Sequence, residues 1–291
     1  MNFTSDVFLP LPASSREAWL PHYLTYLRDR EGRPDLDRRT LPKRERFLAS
    51  LPPVAPAEGL VDQATFDRNV RRRAPDAGLD ARALWALAVA KANRAERYGI
   101  EMKLRVRGFE PDGAEDPYTF VEIQELYHTR IFVEILAAIG VKAEILAPAG
   151  LTRGVVTAIG CLPHALSDVV ALAAELAGVT AFRLLLEESR TLFADAPAVR
   201  DRIALLLGSV VVDEVGHVRF LSSRLGPARL AIARRILPLV ARGMVDDIPE
   251  IVSLFGRDPF FQAVQSVDLD AADASLPDRS PLFDQRATGG A

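Results

Sequence analysis

Two of the four histidines in this 291-residue chain stand three residues after a glutamate, in Glu125-Leu-Tyr-His128 and in Glu214-Val-Gly-His217. Both motifs lie inside long stretches of helical apolar periodicity. On a helix, positions i and i+3 share a face about one turn apart, so the carboxylate and the imidazole of each motif reach toward the same point. The faces are defined by their neighbours: Val121, Glu125, His128, Phe132 and Ile135 form one stripe, and Ile203, Leu207, Val210, Glu214, His217 and Leu221 form another. Apolar stripes turn toward a core. An ionisable group on such a stripe needs a partner, because burying an unpaired carboxylate is costly. One isolated pair reads most simply as a hydrogen-bonded core histidine beside a surface glutamate. Two pairs on two long helices point instead to a metal.

The rest of the pattern is consistent with an all-α chain. A first long helix is expected from about Leu79 to Tyr98, with Leu84, Leu87, Ala88, Ala92 and Ala95 at helical spacing, Asp80 as its cap and an irregular continuation toward Val106. After a turn rich in Gly, Pro and Asp at 108–117, a second helix runs from about Tyr118 to Ile139 and stops at Gly140. A crossover containing Pro148, Gly150, Gly154 and Pro163 precedes a third helix, about Ala165 to Phe193. The break at Ala194-Asp-Ala-Pro197 leads into a fourth, about Pro197 to Arg224, which Gly226-Pro227 closes. Residues 79–225 thus form the main unit. Residues 1–78 are expected to be a Pro- and Arg-rich helical elaboration with short helices near Ser15–Arg30 and Pro42–Ser50. Residues 226–265 are expected to hold accessory helices near Arg229–Arg242 and Ile248–Phe255, and 266–291 a poorly ordered tail.

Two-metal carboxylate sites in helical bundles take a Glu-x-x-His from each of two helices and one further Glu from each of the other two. On the first helix the best candidate is Glu96, which shares a stripe with Trp85, Val89, Ala92 and Ile100. It also lies almost as far from the turn near Glu110-Pro111 as Glu125 does. Glu101 is the alternative, on a more polar side. On the third helix Glu175 matches the level of Glu214 across the 194–197 turn if the helix is straight. Glu187 and Glu188 follow the aliphatic run Leu184-Leu-Leu186 and require the helix to bend or overwind.

The order Glu96, Glu125-x-x-His128, Glu187, Asp213-Glu214-x-x-His217 resembles the ferritin-like di-iron carboxylate oxygenases. That superfamily includes the ribonucleotide reductase small subunit, bacterial multicomponent monooxygenases, arylamine N-oxygenases, the tRNA-modifying di-iron hydroxylase and the aldehyde-deformylating oxygenase. The likeness spans roughly residues 80–222. The stretch from Gly178 to His217 is most similar to the aldehyde-deformylating oxygenase, and that similarity favours Glu187 as the third helix's ligand. The arylamine N-oxygenases carry a further histidine one turn before the last Glu, where this chain has Val210.

What the resemblance implies is a ferritin-like four-helix bundle with extra helices at both ends. Glu96, Glu125, His128, Glu187, Glu214 and His217 would hold two Fe ions, or Mn and Fe, with O2 as co-substrate. Asp213 is expected to accept a hydrogen bond from His128 and, by the same symmetry, Gln124 to hold His217. Four carboxylates and two imidazoles make an oxygen-rich set suited to iron or manganese. The expected activity is O2-dependent oxidation of a small organic substrate with an external electron donor. The alternatives are a ferroxidase and a non-catalytic helical scaffold.

The remaining composition narrows the partners. A formal charge of −3 and a pI near 5.9 give no field to gather nucleic acid, although Arg71-Arg72-Arg73 is locally basic. The longest apolar runs are interrupted by Asp168, Glu175, Arg183 and Gly208, which argues against a membrane span. A single cysteine, Cys161, permits no internal disulfide, and no basic-then-apolar leader opens the chain, so a cytoplasmic location is expected. A homodimer is a candidate assembly. Cys161 and His164, spaced i, i+3 around Pro163, are read as structural, and Tyr98 and Tyr127 as packing residues with satisfied hydroxyls.

Overall fold

The computed structural model describes residues 7–10, 21, 23, 48–54, 59–107, 117–144, 154, 157–159 and 161–269, with the side chains of 98–107 and 119 excepted. Apart from residues 21 and 23, which are helical, the short helices expected before residue 48, His22, the side chains of Tyr98 and Glu101 and the tail beyond 269 lie outside these residues. Among the described residues the fold is all-α, with eight named helices and no strand. They are α1 (Gln63–Val70), α2 (Ala81–Arg107), α3 (Pro117–Ala138), α4 (His164–Leu192), α5 (Pro197–Arg224), α6 (Pro227–Asp247), α7 (Glu250–Phe255) and α8 (Arg257–Gln265).

Local chemistry sets the boundaries. Asp62 accepts a hydrogen bond from Thr65 N at 2.8 Å to cap α1, and Asp80 accepts one from Ala83 N at 2.7 Å at the start of α2. Helix α3 stops where Gly140 takes a φ of +82° and Val141 N–H returns to Leu136 O at 2.9 Å. That left-handed turn favours glycine. Pro197 and Pro227 open α5 and α6 at positions whose N–H groups have no partner inside the helix.

The four long helices α2 to α5 pack in sequence around one interior: α2 on α3, α3 on α5, α5 on α4 and α4 on α2. Their directions follow from cross-contacts. Tyr118 meets Asp168 near the starts of α3 and α4, and fourteen residues later along both helices Phe132 meets Phe182, with ring centroids 5.3 Å apart. Helices α3 and α4 are therefore parallel. All four neighbouring pairs of the ring are antiparallel, as the Trp85 Nε1 bond to Leu185 O shows for α2 and α4, while α3 and α4 lie across it from one another. The end of α3 and the start of α4 accordingly lie at opposite ends of the helices.

The interior is apolar away from its centre. Trp85, Phe132, Phe193, Ile131, Ile135 and Phe220 are fully buried, and burial of each such side chain contributes about 1.5–3 kcal/mol. Helix α6 lies along α4, α1 and α7 pack on α2, and α8 rests on α4 and α6. The join between α7 and α2 is ionic: Lys91 Nζ and Glu250 Oε1 lie 2.5 Å apart with both side chains wholly buried. By length and composition α4 is the one described helix able to cross a membrane, and 61% of that apolar window is covered by the rest of the protein.

Candidate metal centre

At mid-length of the four long helices the apolar interior gives way to a cluster of carboxylates and imidazoles. Helix α2 supplies Glu96, α3 supplies Glu125 and His128, α4 supplies Glu175, and α5 supplies Glu214 and His217. They form two sets of ligand atoms, Glu96, Glu125, His128 and Glu214 in one and Glu125, Glu175, Glu214 and His217 in the other, with the atoms of each set within 4.8 Å of one another. Glu125 and Glu214 belong to both.

The distances show how the groups converge. His128 Nδ1 lies 3.3 Å from Glu214 Oε1 and 3.6 Å from Glu96 Oε2. His217 Nδ1 lies 2.9 Å from Glu125 Oε1, 3.7 Å from Glu175 Oε2 and 3.9 Å from Glu214 Oε1. The two imidazole centroids are 6.0 Å apart. Both histidines are fully buried and Glu214 nearly so, whereas Glu96, Glu125 and Glu175 keep some exposure.

The outward edge of each imidazole is fixed. His128 Nε2 faces Asp213 Oδ2 at 3.2 Å, and His217 Nε2 faces Gln124 Oε1 at 2.9 Å. Both partners are acceptors there, so each Nε2 carries its proton and donates. Gln124 Nε2 in turn donates to Asp213 Oδ1 at 3.3 Å. A buried chain His217–Gln124–Asp213–His128 thus orients both rings with their Nδ1 atoms inward.

Those inward atoms are the unusual feature. Glu125 Oε1, His128 Nδ1, Glu214 Oε1 and His217 Nδ1 are buried and engage in no hydrogen bond. Buried polar atoms are normally satisfied, and leaving one unsatisfied costs about 1–3 kcal/mol. Here lone pairs converge on lone pairs at one place, an arrangement that calls for positive charge at its centre.

Protons answer that demand when no cation is present. Burial, then the charges of Glu96 and Glu175, push the Glu125 carboxyl up to about 8. Burial, followed by Glu175, Glu125 and Glu96, raises Glu214 well above the ordinary carboxyl range. For His217, burial pulls the pKa down, but the carboxylates of Glu125 and Glu175 outweigh it and lift the imidazole to about 10. Each shift has the sign expected of an anionic cluster short of cations.

The structure brings together Glu96, Glu125, His128, Glu214 and His217 and sets Asp213 and Gln124 behind the histidines. It does not bring Glu187 there. Glu187 projects to the surface with its side chain 52% exposed, its nearest cation being Arg183 Nη1 at 3.4 Å. Twelve residues separate it from Glu175 along an uninterrupted α4, about 18 Å at 1.5 Å per residue. Helix α4 runs straight enough that the carboxylate level with Glu214 is Glu175, the residue that turn-to-site counting had matched. Glu188 stands outside both ligand sets as well. Cys161 is exposed with a free thiol, and His164 sits 3.6 Å from Asp168 at the end of the helices, apart from the cluster.

A contribution not expected from sequence comes from the N-terminal region. Tyr23 is fully buried, stacks on Phe220 with centroids 5.4 Å apart, and packs over Gly216 between the two ligands of α5. Comparison with known proteins identifies no relative, since no family model, no curated protein and no solved structure matches the chain. The cluster's chemistry therefore stands on its own geometry: a buried Glu/His constellation able to hold metal.

Proposed function

We propose that this chain is a non-haem di-metal oxygenase of ferritin-like build, which oxidises a small organic substrate with O2. One observation carries the reading: four buried ligand atoms from two Glu-x-x-His motifs, with no hydrogen bonds of their own, converge from helices whose outward imidazole edges are already tethered. The two ligand sets, which share Glu125 and Glu214, would hold a pair of divalent ions. A ring of four long helices with parallel α3 and α4 also fits the ferritin-like pattern of one long crossover connection.

In this reading Glu96 and His128 complete one metal position, Glu175 and His217 the other. Four carboxylates balance two divalent cations, and imidazoles with oxygen donors suit iron or manganese. Reduced metal bound there would supply the electrons and open positions needed to cleave O2. The residues of the chain hold and orient. Asp213 and Gln124 keep each imidazole in the Nε2–H tautomer, so Nδ1 presents its lone pair inward. Phe132, Phe182, Val210 and Val211, all buried, exclude water from one side.

A ferroxidase is the second reading, favoured by the partial exposure of Glu96, Glu125 and Glu175, which gives ions a path inward. The test is to load the protein anaerobically with ferrous iron, count metal per chain, and admit O2. The oxygenase reading expects about two irons per chain and O2 uptake stimulated by an organic substrate. Ferric mineral accumulating with no such stimulation would favour the ferroxidase. Full metal loading in both His128→Ala and His217→Ala would remove the metal reading altogether.

A further inference from the structure

Asn93 is buried on α2 one turn before Glu96, and its amide crosses to α3, where Nδ2 donates to Thr129 O at 3.0 Å. Thr129 follows His128 directly. The amide nitrogen must be the atom on that side, because an oxygen there would face another oxygen with no hydrogen between them. A helical carbonyl has a second lone pair to give, so the bond leaves the ladder of α3 intact.

Stability alone does not account for an asparagine at this place. It is a weaker helix former than the buried alanines before it, Ala86, Ala88, Ala90 and Ala92. Its Oδ1 is buried and accepts no hydrogen bond among the described residues. An unmet buried acceptor costs more than one neutral hydrogen bond returns, so an apolar side chain of similar shape would serve the fold as well.

What the bond supplies is register. Contacts made by small alanines are non-directional and tolerate sliding, whereas a hydrogen bond holds its geometry within a few tenths of an ångström. Three residues forward on α2 is three residues back on the antiparallel α3. Setting residue 93 against 129 therefore sets Glu96 against residue 126, within a turn of both Glu125 and His128. There Glu96 Oε2 stands 3.6 Å from His128 Nδ1. A slip of one residue would carry Glu96 about 1.5 Å along the axis, against a tolerance of about 0.2 Å in a metal–ligand distance. Lys91 and Arg94 tie the same stretch outward, to Glu250 of α7 and to Asp247 O at the end of α6. Asn93 ties it to the helix that carries Glu125 and His128.

We propose, resting on the metal reading of the cluster, that Asn93 is a positioning residue: by bonding the carbonyl of Thr129 it sets the register of α2 on α3 and so places Glu96 at the metal position it shares with His128. The position completed by Glu175 and His217 takes no ligand from α2 and is indifferent to that bond.

The full chain with zinc, which is redox-inert, provides the test. Wild type is expected to bind about two ions. In Asn93→Leu, chelator competition should show one position weakened about tenfold or more and the other unchanged, while the melting temperature of the metal-free protein stays level or rises. Glu175→Gln identifies the weakened position. At a zinc level that leaves about one ion on each single variant, the double variant should hold about none, because the two changes strike different positions. Asn93→Ala, which also removes the amide and favours the helix, takes the same measurements if the leucine variant does not fold.

Two ions held at wild-type affinity in these variants overturn the proposal. Equal weakening of both positions together with a lowered melting temperature also overturns it, as the mark of a merely structural residue. A double variant that still holds one ion overturns the link to Glu96. Wild type that binds no zinc removes the metal reading itself, an outcome distinct from any of the variants' results.

Discussion

Gln124 stands between the two histidines: it accepts from His217 Nε2 at 2.9 Å and donates to Asp213 Oδ1 at 3.3 Å, while Asp213 takes His128 Nε2 at 3.2 Å. The two motifs are thus linked behind the cluster as well as within it. Removing the link frees the ring of His217 to rotate or change tautomer. Gln124→Leu is expected to weaken metal binding about 10- to 100-fold, the usual effect of losing such a supporting bond, with helix content unchanged. Chelator competition with zinc measures it, and wild-type affinity in this variant would show that the link is idle.

Glu175 and Glu187 make opposite predictions from one helix. Glu175→Gln should lower metal content by about one ion per chain, because it removes the anionic ligand that one set does not share. Glu187→Gln should leave metal content untouched. It should change stability by less than about 1 kcal/mol, as befits an exposed i, i+4 pair with Arg183. Metal analysis of the two purified variants decides between them, and loss of metal in Glu187→Gln alone would restore the carboxylate favoured by resemblance.

The pH dependence has a definite sign. Glu125 is raised from 4.5 to about 8 and His217 from 6.5 to about 10. Over those ranges the folded, metal-free protein binds protons that the unfolded chain does not, so its stability falls as pH rises. Metal displaces the same protons, so affinity rises with pH and binding acidifies the medium. Melting curves in chelator at about pH 5, 7 and 9 should step downward, and zinc added in dilute buffer should release protons. Stability of the metal-free form rising over this interval would contradict the protonated cluster.

The buried pair between α2 and α7 predicts an asymmetry in mutation. Lys91→Met strands the Glu250 carboxylate in the interior, a loss of about 3–5 kcal/mol. Changing both residues to apolar ones of similar volume should recover most of it, because the desolvation penalty of two charges goes with them. Chemical denaturation of the single and double variants provides the numbers. A double variant as unstable as the single would mean that the pair contributes more than its charges.

Much of the arrangement was legible in the chain because the informative residues sit on strongly periodic helices. Glu96 followed from its stripe and from its distance to the turn, and the two Glu-x-x-His motifs from their spacing alone. The α4 carboxylate was harder. A straight-helix count gave Glu175, and an aliphatic run before Glu187 resembled a known pattern; geometry on an unbroken helix prevailed. Tyr23 was not legible at all. Its segment reads as a short helix near 15–30, but nothing there says what that helix packs on, and only tertiary packing places the ring over Gly216.

The parallel course of α3 and α4 divides the ligands between two hairpins. Glu96, Glu125 and His128 arrive on α2–α3, and Glu175, Glu214 and His217 on α4–α5, yet each ligand set borrows one glutamate from the other hairpin. Neither hairpin owns a complete coordination sphere. An ion held at either position would bind residues of both halves of the chain, so its binding would add to the stability of their docking.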